Sequence, residues 1–328
     1  MIDENSDSSL NFSKRKPLMA NWSQLLSLAL FSATIRSLTP VLYPALAGIF
    51  SERSGVLNIG LEGMMLISAF AAVVGSYYTE NAWIGVLCAI GAGLLTSLIH
   101  AFMCITLKAD QAIVGTGINI LGIGLPSYLL LKLFGSQGIS PIVTRLDKWR
   151  IPVLADLPVI GPILGEHSPL AYIALLMVPV SWYVLFKTPF GLRLRSVGEN
   201  PSAADSVGVN VYTMRYVAVM ISGVLASLGG AFLSISYLAQ YTRMMTAGRG
   251  FIGLAAMIFG RWNPWGALLA CVIFGFADAL QATAQAANVP IPPQFLLALP
   301  YILSIVTLIG AMGRANPPAF VAKPYEKA

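Results

Sequence analysis

The chain has 328 residues, of which 56% are hydrophobic and only 10% are charged, and its mean hydropathy is +0.74. An average soluble domain carries about 25% charged residues, so this composition excludes a protein whose whole outer surface faces water. The net charge of +6 comes from basic residues scattered among loops and tails, which favours positive charge retained on the cytoplasmic side of a membrane over nucleic-acid binding. We therefore predict an all-α, polytopic membrane protein.

Apolar segments long enough to cross a membrane recur along the chain. A spanning helix needs about 20 apolar residues. The candidate spans are 24–50, 57–79, 83–107, 111–135, 168–187, 215–238, 265–287 and 294–313. A further apolar segment, 250–260, is too short to cross by itself. The pattern leaves open whether this segment and part of 24–80 are half-helices, and therefore on which side of the membrane each loop lies.

Both ends of the chain differ in composition from the spans. Residues 1–21 contain acids followed by Lys14, Arg15 and Lys16, with no cleavage site after a short apolar core. This pattern predicts an uncleaved cytoplasmic tail rather than a signal peptide. Residues 314–328 are rich in proline and predict a loose C-terminal tail, which leaves 22–313 as the membrane domain.

Charged residues interrupt the apolar pattern at 51–65, which reads SERSGVLNIGLEGMM. A charge at the centre of a membrane costs roughly 2.5–3.5 kcal/mol on insertion scales. One interpretation is a broken helix near a translocation path, with Glu62 facing protein or water. The other is a short interfacial loop whose charges stay among the lipid headgroups.

A polar stripe lies within the span at 265–287. Asp278, Gln281 and Gln285 are spaced i, i+3 and i+7, so they share one face of a helix. Thr116 and Asn119 form a smaller pair of the same kind. Such a stripe faces a bundle interior or a wet cavity, so these residues either line a solute path or join helices by hydrogen bonds.

Three aromatic residues near the predicted outer mouth or cavity have two possible roles. Tyr237, Tyr241 and Phe251 either stack on a flat solute or serve as packing and interface anchors.

A short polar helix is predicted between the spans at 168–187 and 215–238. Asn200 is a preferred N-cap residue, Pro201 suits the first helical position, and Gly208 suits the left-handed position after a helix. Residues 201–207 would then form about two turns of helix with a small, smooth face. This loop, 188–214, is either a tidy solvated connection or a docking surface for another protein. The candidate docking residues are Arg193, Arg195, Glu199, Asn200, Pro201, Ala203, Ala204 and Gly208.

Patterns typical of enzymes are missing from the sequence. It contains no Gly-Lys dipeptide, and hence no phosphate-binding P-loop, and neither HExxH nor GxSxG. Cys88, Cys104 and Cys271 lie in apolar segments without metal-ligand or disulfide spacing. We therefore predict no catalytic residues, no metal site and no cofactor.

Four blocks of the sequence resemble one family of transport proteins. They are ALAGIFSERSGVLNIGLEGMMLISAF (45–70), GLRLRSVGENPSAADSVGVNVYTMR (191–215), SGVLASLGGAFLS (222–234) and RGFIGLAAMIFGRWNPWGALL (249–269). Together they resemble ABC-importer permeases of the branch that includes ribose, branched-chain amino-acid and nucleoside permeases. The form of the 51–65 block is most similar to the nucleoside or simple-sugar permeases.

This resemblance implies a mechanism and a set of partners. Residues 198–208 would be a coupling helix on the cytoplasmic side that docks on a separate ABC ATPase subunit, which binds the ATP. The segments 24–80 and 239–262 would contain partial or re-entrant helices, for about eight to ten membrane elements in all. A second homologous permease and an extracytoplasmic solute-binding lipoprotein would complete an importer in the bacterial cytoplasmic membrane.

The expected solute is a nucleoside, moved inward by alternating access. Ribose, another sugar or a branched-chain amino acid is the alternative for the same importer. A different class is also open, namely a proton-coupled secondary transporter in which Glu62 or Asp278 carries the proton. The candidate residues of the translocation path are Glu62, Asn119, Phe251, Asp278 and Gln281.

Overall fold

The computed structural model describes residues 28–158, 160–287, 294–295, 298, 302 and 316–327. Within these residues the chain is mostly helical, with only two short strands. The longer helices are α1 (Leu28–Arg53), α2 (Leu61–Thr79), α3 (Ala82–Ala101), α4 (Gln111–Phe134), α7 (Pro169–Lys187), α8 (Pro189–Glu199), α10 (Val211–Ala231), α11 (Arg249–Phe259) and α12 (Pro264–Ala286). The short ones are α5 (Pro152–Ala155), α6 (Ile160–Leu164) and α9 (Pro201–Ser206). The predicted all-α membrane bundle is confirmed.

Six helices of the described chain are long and apolar enough to cross a membrane: α2, α3, α4, α7, α10 and α12. Helices α3 and α10 each continue into a π-helical segment, Phe102–Thr106 and Phe232–Leu238. When these π-helical segments are included, the bounds of the six helices differ from the predicted spans by at most four residues, the largest differences being at Leu61 and Val211. The predicted span 294–313 lies almost entirely outside the described residues, as do the tail 1–21 and residues 22–27.

Small residues allow the helices to approach closely. Gly93 on α3 faces Gly223 and Ser227 on α10, and a Cβ at Gly93 would lie 2.5 Å from the Ser227 side chain. Close backbone approach through small residues is the usual way in which membrane helices associate. The core formed in this way also holds α1, whose Tyr43 hydroxyl donates to the Leu170 carbonyl of α7 at 2.7 Å.

The bundle has two ends, which we name by one residue each. The Pro201 end contains the turn after α1, the loop 107–110, helices α8 and α9, and residues 316–327. The Trp149 end contains residues 135–168 and 239–243, where Ser140 N donates to Tyr241 O and Val143 N donates to Ala239 O. There the strands β1 (Trp149–Arg150) and β2 (Glu166–His167) pair antiparallel, with Trp149 opposite His167.

The helix break between α1 and α2 lies inside the protein. Gly55 has a φ of +89°, and residues 56–58 are not helical. The Gln111 side chain accepts from Leu57 N at 2.7 Å, so the extended backbone finds a partner on α4. Glu52 and Glu62, on either side of the break, are only 4% and 8% exposed. The helix is therefore broken here and Glu62 faces protein, so a loop with its charges among the headgroups is wrong, whereas a position near a translocation path stays a prediction.

The described part of the C-terminal region is not loose. Residues 316–327, which we call the C-terminal strap, lie across the Pro201 end. Phe320 N donates to Gly198 O at 2.9 Å, and Tyr325 is 5% exposed. The expectation of a loose tail is wrong for these residues, because proline-rich backbone can still pack through its intervening aromatic side chains.

Candidate functional site

Helix α9 has the capping that its sequence predicts. The Asn200 side chain accepts from Ala203 N at 3.0 Å, and Pro201 is the first helical residue. Gly208, two residues after the helix, has a φ of +85°. Local interactions therefore define both ends of this short helix, which stands at the surface of the Pro201 end.

The two adjacent alanines of α9 lie on different faces. Ala203 is exposed, whereas Ala204 is 3% exposed and packs with Val197, Val211 and Tyr325. Successive helical residues are rotated by about 100°, so neighbours rarely share a face. The predicted smooth surface formed by both alanines is therefore wrong, and only Ala203 is available to another protein.

The charged residues around α9 differ in the exposure and the contacts of their side chains. Arg193 is exposed. The Arg195 guanidinium lies 4.8 Å from the centre of the Phe186 ring, in a cation–π arrangement. The Glu199 carboxylate accepts from Ala319 N of the C-terminal strap at 3.2 Å. Of these three side chains, Arg193 is the one most open to an acidic partner.

A chain of contacts leads from α8 to the short helix α11. Gly198 packs against the Arg53 carbonyl so closely that any side chain at Gly198 would overlap it. The Arg53 guanidinium in turn donates to Trp262 O at 3.1 and 3.2 Å, and Trp262 Nε1 donates to Glu52 at 2.6 Å. The surface at α8 is thus linked directly to the loop that follows α11.

Glu62 holds the other end of α11. Its carboxylate accepts from the Thr246 hydroxyl at 2.5 Å and from Gly248 N and Gly250 N at 2.7 Å each. A Cβ at Gly250 would lie 2.7 Å from the Glu62 backbone, so only glycine permits this approach. The unpaired amides and the dipole at a helix N-terminus favour a negative charge, and Glu62 supplies that charge inside the bundle.

Asn119 of α4 forms hydrogen bonds to the backbone near the helix break. Its side-chain oxygen accepts from Gly63 N at 2.8 Å, and its amide donates to Ile59 O at 3.0 Å. The Thr116 hydroxyl, by contrast, bonds to Ala112 O of its own helix. The two residues predicted as one polar pair therefore have different partners.

The polar stripe of α12 lies beside the N-terminus of α11. Asp278 is paired with Arg249 at 3.8 Å, and both side chains are partly exposed. Phe251 is 46% exposed, Gln281 is partly buried and Gln285 is exposed. A charged pair that is open in this single chain has to meet protein or water rather than lipid.

The aromatic residues predicted either to stack on a solute or to pack also lie in different environments. Tyr237 is 50% exposed, whereas Tyr241 is 1% exposed and meets the Phe70 ring edge-on at 5.3 Å. Tyr241 is therefore a packing residue and cannot stack on a solute.

An open cleft marks the Trp149 end. Its volume is about 280 Å³, and the Trp83 and Trp149 rings lie 6.2 Å apart at its wall. Glu80, Arg145 and Asp147 also line it. The cleft thus combines aromatic side chains with charges of both signs.

Comparison with known proteins gives matches over almost the whole chain. A family model described as branched-chain amino acid transport system, permease component, matches residues 30–312. The guanosine ABC transporter permease protein NupQ of Bacillus subtilis is 42% identical, covering 93% of this chain and 98% of the relative.

Two further relatives match with similar coverage. The nucleoside ABC transporter permease protein NupC of Lactococcus lactis is 40% identical, over 85% of this chain and 91% of the relative. A putative glucose ABC transporter permease protein, TsgC13 of Haloferax volcanii, is 37% identical over 82% of each chain. Each of the three organisms also has a more distant relative, 22% to 29% identical to this chain, with an ABC permease name of the same kind.

Proposed function

The chain belongs to the family of branched-chain amino acid transport system permease components, and from this premise we propose that it is the membrane permease subunit of an ATP-driven importer of nucleosides. The observation that carries the importer assignment is the match to ABC transporter permeases over most of the chain, and α9 is the capped surface helix that suits contact with an ATPase. The solute class follows from the guanosine and nucleoside permeases at 42% and 40% identity.

At the Pro201 end, α9 is the element that an ABC ATPase displaces. The exposed residues Ser202, Ala203, Ser206 and Val207 form the contact surface, and Arg193 adds a positive charge beside it. Asn200, Pro201 and Gly208 define the helix, while Arg195, Glu199 and Ala204 hold it against its neighbours. The chain makes and breaks no covalent bond, and ATP is hydrolysed by the separate ATPase.

The translocation path runs beside α11 and α12. Phe251, Asp278 and Gln281 face it, because they are the partly exposed ring and polar groups of this region. Glu62 and Asn119 support the path from behind by holding the backbone at 246–250 and 59–63. A flat ring with amide and hydroxyl groups is the type of solute that such a surface suits.

Two further partners complete the importer. A second, homologous permease covers the face that carries Arg249 and Asp278, as the more distant relatives in the same organisms suggest. A solute-binding lipoprotein docks at the Trp149 end, over the cleft lined by Trp83 and Trp149. The domain boundaries follow, with the permease domain at 22–313, the coupling loop at 188–214 and tails at 1–21 and 314–328.

Uptake measurements test the solute. Cells with and without this gene are given labelled guanosine, uridine, glucose, ribose and leucine. We expect loss of guanosine and uridine uptake alone. Loss of glucose, ribose or leucine uptake instead would reject the nucleoside assignment; the putative glucose permease at 37% identity makes glucose the sugar to include.

The energy source separates an ABC importer from a proton-coupled transporter. Both Glu62 oxygens accept hydrogen bonds, and Asp278 is paired with Arg249, so both carboxylates have partners within the chain. We expect uptake to stop when ATP is depleted and to continue when the membrane is depolarised. The opposite result would favour the proton-coupled class.

Adjacent cysteine variants test the ATPase contact. In a chain whose three native cysteines are replaced by alanine, Ala203→Cys places a single thiol on the exposed face of α9, and Ala204→Cys places one on the buried face. We expect the first to crosslink to the ATPase and to react only with reagents that reach the cytoplasm, and the second to do neither. Labelling of Ala203→Cys by an impermeant reagent on intact cells would reverse the proposed orientation.

A further inference from the structure

The C-terminal strap connects α9 to the membrane helices. We propose that it is the positioning element that makes α9 move as one body with α10 and the loop 107–110, so that a displacement by the ATPase reaches the bundle. This inference rests on the proposed function, since it concerns how the coupling surface works.

Helix α9 is too short to keep its position unaided. It has six residues, and helices shorter than about 12 residues are marginal in water without packing. The Tyr325 ring, 5% exposed, fills the space between Val197 of α8, Ala204 of α9 and Val211 of α10. One strap side chain therefore joins three helices around the coupling surface.

Polar contacts fasten the strap to α8 and α9. Phe320 N donates to Gly198 O at 2.9 Å, and Ala319 N donates to the Glu199 carboxylate at 3.2 Å. Lys327 pairs with Asp205 of α9 at 3.7 Å. The strap thus contacts α9 directly and also holds the helix that precedes it.

A second set of contacts joins the strap to the membrane helices. Arg215 of α10 is 1% exposed; it donates to Lys323 O at 3.2 Å and lies 6.0 Å from the centre of the Phe320 ring. Lys108, in the loop between α3 and α4, pairs with Glu326 at 2.6 Å. A buried guanidinium with few protein acceptors is costly to leave uncovered, so the strap and α10 are held together.

These two sets of contacts explain why the strap transmits movement. On one side it holds α8 and α9, and on the other it holds α10 and the α3–α4 loop. Packed side chains and hydrogen bonds that link two sites can carry coupling between them. Without the strap, α9 would keep its chain connections and the contacts of Ala204 with α8 and α10, but it would lose the Tyr325 ring and the Lys327 pair that join it to the strap. A push on α9 would then be absorbed more by local bending.

The test compares transport with ATP hydrolysis in the assembled importer. The wild-type permease and its variants are reconstituted in liposomes with the ATPase, the second permease and the binding protein. Labelled guanosine accumulated and ATP hydrolysed are measured together. Tyr325→Ala removes the ring that joins the three helices, Tyr325→Phe keeps it, and Ala322→Ser changes an exposed strap residue.

We expect Tyr325→Ala to lower guanosine accumulated per ATP hydrolysed by about tenfold while the ATPase still co-purifies. Tyr325→Phe and Ala322→Ser should stay within about twofold of the wild type. An unchanged ratio in Tyr325→Ala would overturn the proposal, and so would loss of ATPase binding, since the strap would then be a docking surface.

A charge exchange provides an independent variant if Tyr325→Ala lowers the amount of folded protein. Glu326→Lys places two cations side by side on an exposed surface, and adding Lys108→Glu restores an opposite-charge pair. We expect the single variant to lower the uptake-to-hydrolysis ratio and the double variant to restore it. No change in the single variant, or no rescue in the double, would count against transmission through the strap.

The wild-type importer separates this inference from the proposed function. If the wild type binds its ATPase but takes up no guanosine, the solute assignment fails. If the wild type imports guanosine and the strap variants couple normally, only the role of the strap fails.

Discussion

Two carboxylates lie beside the N-terminus of α11, and they differ in almost every physical respect. Glu62 is 8% exposed and accepts three hydrogen bonds of 2.5 to 2.7 Å from the chain that enters the helix. Asp278 is partly exposed, and its contact with Arg249 is 3.8 Å long. An isolated acid in an apolar segment can therefore have either of two roles. Glu62 caps a helix inside the protein, whereas Asp278 belongs to an open polar surface.

The largest expected effect is on the cap. Glu62→Ala would leave three donors inside the bundle without their acceptor, and each buried donor left unpaired costs about 1–3 kcal/mol. We expect the melting temperature of the purified protein to fall by more than about 5 °C, with loss of uptake as a consequence. Thermal unfolding followed by size-exclusion chromatography measures this.

The matched variant Glu62→Gln keeps one acceptor oxygen and should lose less stability than Glu62→Ala. A normal melting temperature in Glu62→Ala combined with abolished uptake would contradict a structural role for Glu62, because Glu62 would then act on the solute or a proton.

The open carboxylate should behave in the opposite way. An exposed ion pair contributes only about 0–1 kcal/mol to stability, so Asp278→Ala should change the melting temperature by no more than about 2 °C. Its guanosine uptake should nevertheless fall by about fivefold or more, because a polar group facing the path is lost. Uptake normalised to protein in the membrane gives the result, with the exposed Gln285→Ala as the control. Severe unfolding in Asp278→Ala would make it a second structural acid.

A smaller effect is expected one helical turn along α12. Gln281→Leu removes an uncharged donor and acceptor, and one hydrogen bond is worth about 0.5–1.5 kcal/mol. Guanosine uptake should therefore fall by about threefold at an unchanged protein level. Normal uptake would confine the path-facing part of the stripe to Asp278.

The smallest expected effect extends the comparison to a buried histidine, His167. His167 is 3% exposed, and burial lowers its pKa below the ordinary value; the cations Arg36 and Lys148 lower it further, against opposing effects of Ile163 O and Glu166. The folded state therefore binds fewer protons than the unfolded state, and stability is lost as pH falls through the unfolded pKa of about 6.5.

We expect limited proteolysis to cleave residues 135–168 faster as the pH is lowered from about 7.5 to about 5.5. The same digestion of His167→Gln should depend less on pH. Equal pH dependence in both proteins would show that another group titrates in this region.

How far the sequence could predict these features depends on how local their causes are. Asn200, Pro201 and Gly208 lie within nine residues of one another, so capping rules alone define α9. Six of the eight spans were predictable for the same reason, since length and apolar composition are properties of one segment; among the described residues, α1, which corresponds to 24–50, is not among the helices apolar enough to cross a membrane.

The partners of buried polar groups were not predictable, because they are distant in the chain and partly backbone. The donors to Glu62 lie 184 to 188 residues further on, and two of them are glycine amides that carry no side-chain signal. Arg53 likewise meets the Trp262 carbonyl 209 residues away. The strap was missed because its composition is that of a loose tail, whereas its order comes from Tyr325 and Phe320.

The separation between Glu62 and its donors has a consequence for biogenesis. Glu62 leaves the ribosome 184 residues before Thr246, which at about 5–20 residues per second is roughly 10–40 s of synthesis. During that interval a carboxylate within an apolar segment lacks its final partners, and lipid offers no substitute. The insertion machinery therefore has to shelter the first two helices, or keep them near water, until the segment at 246–250 arrives and completes the site.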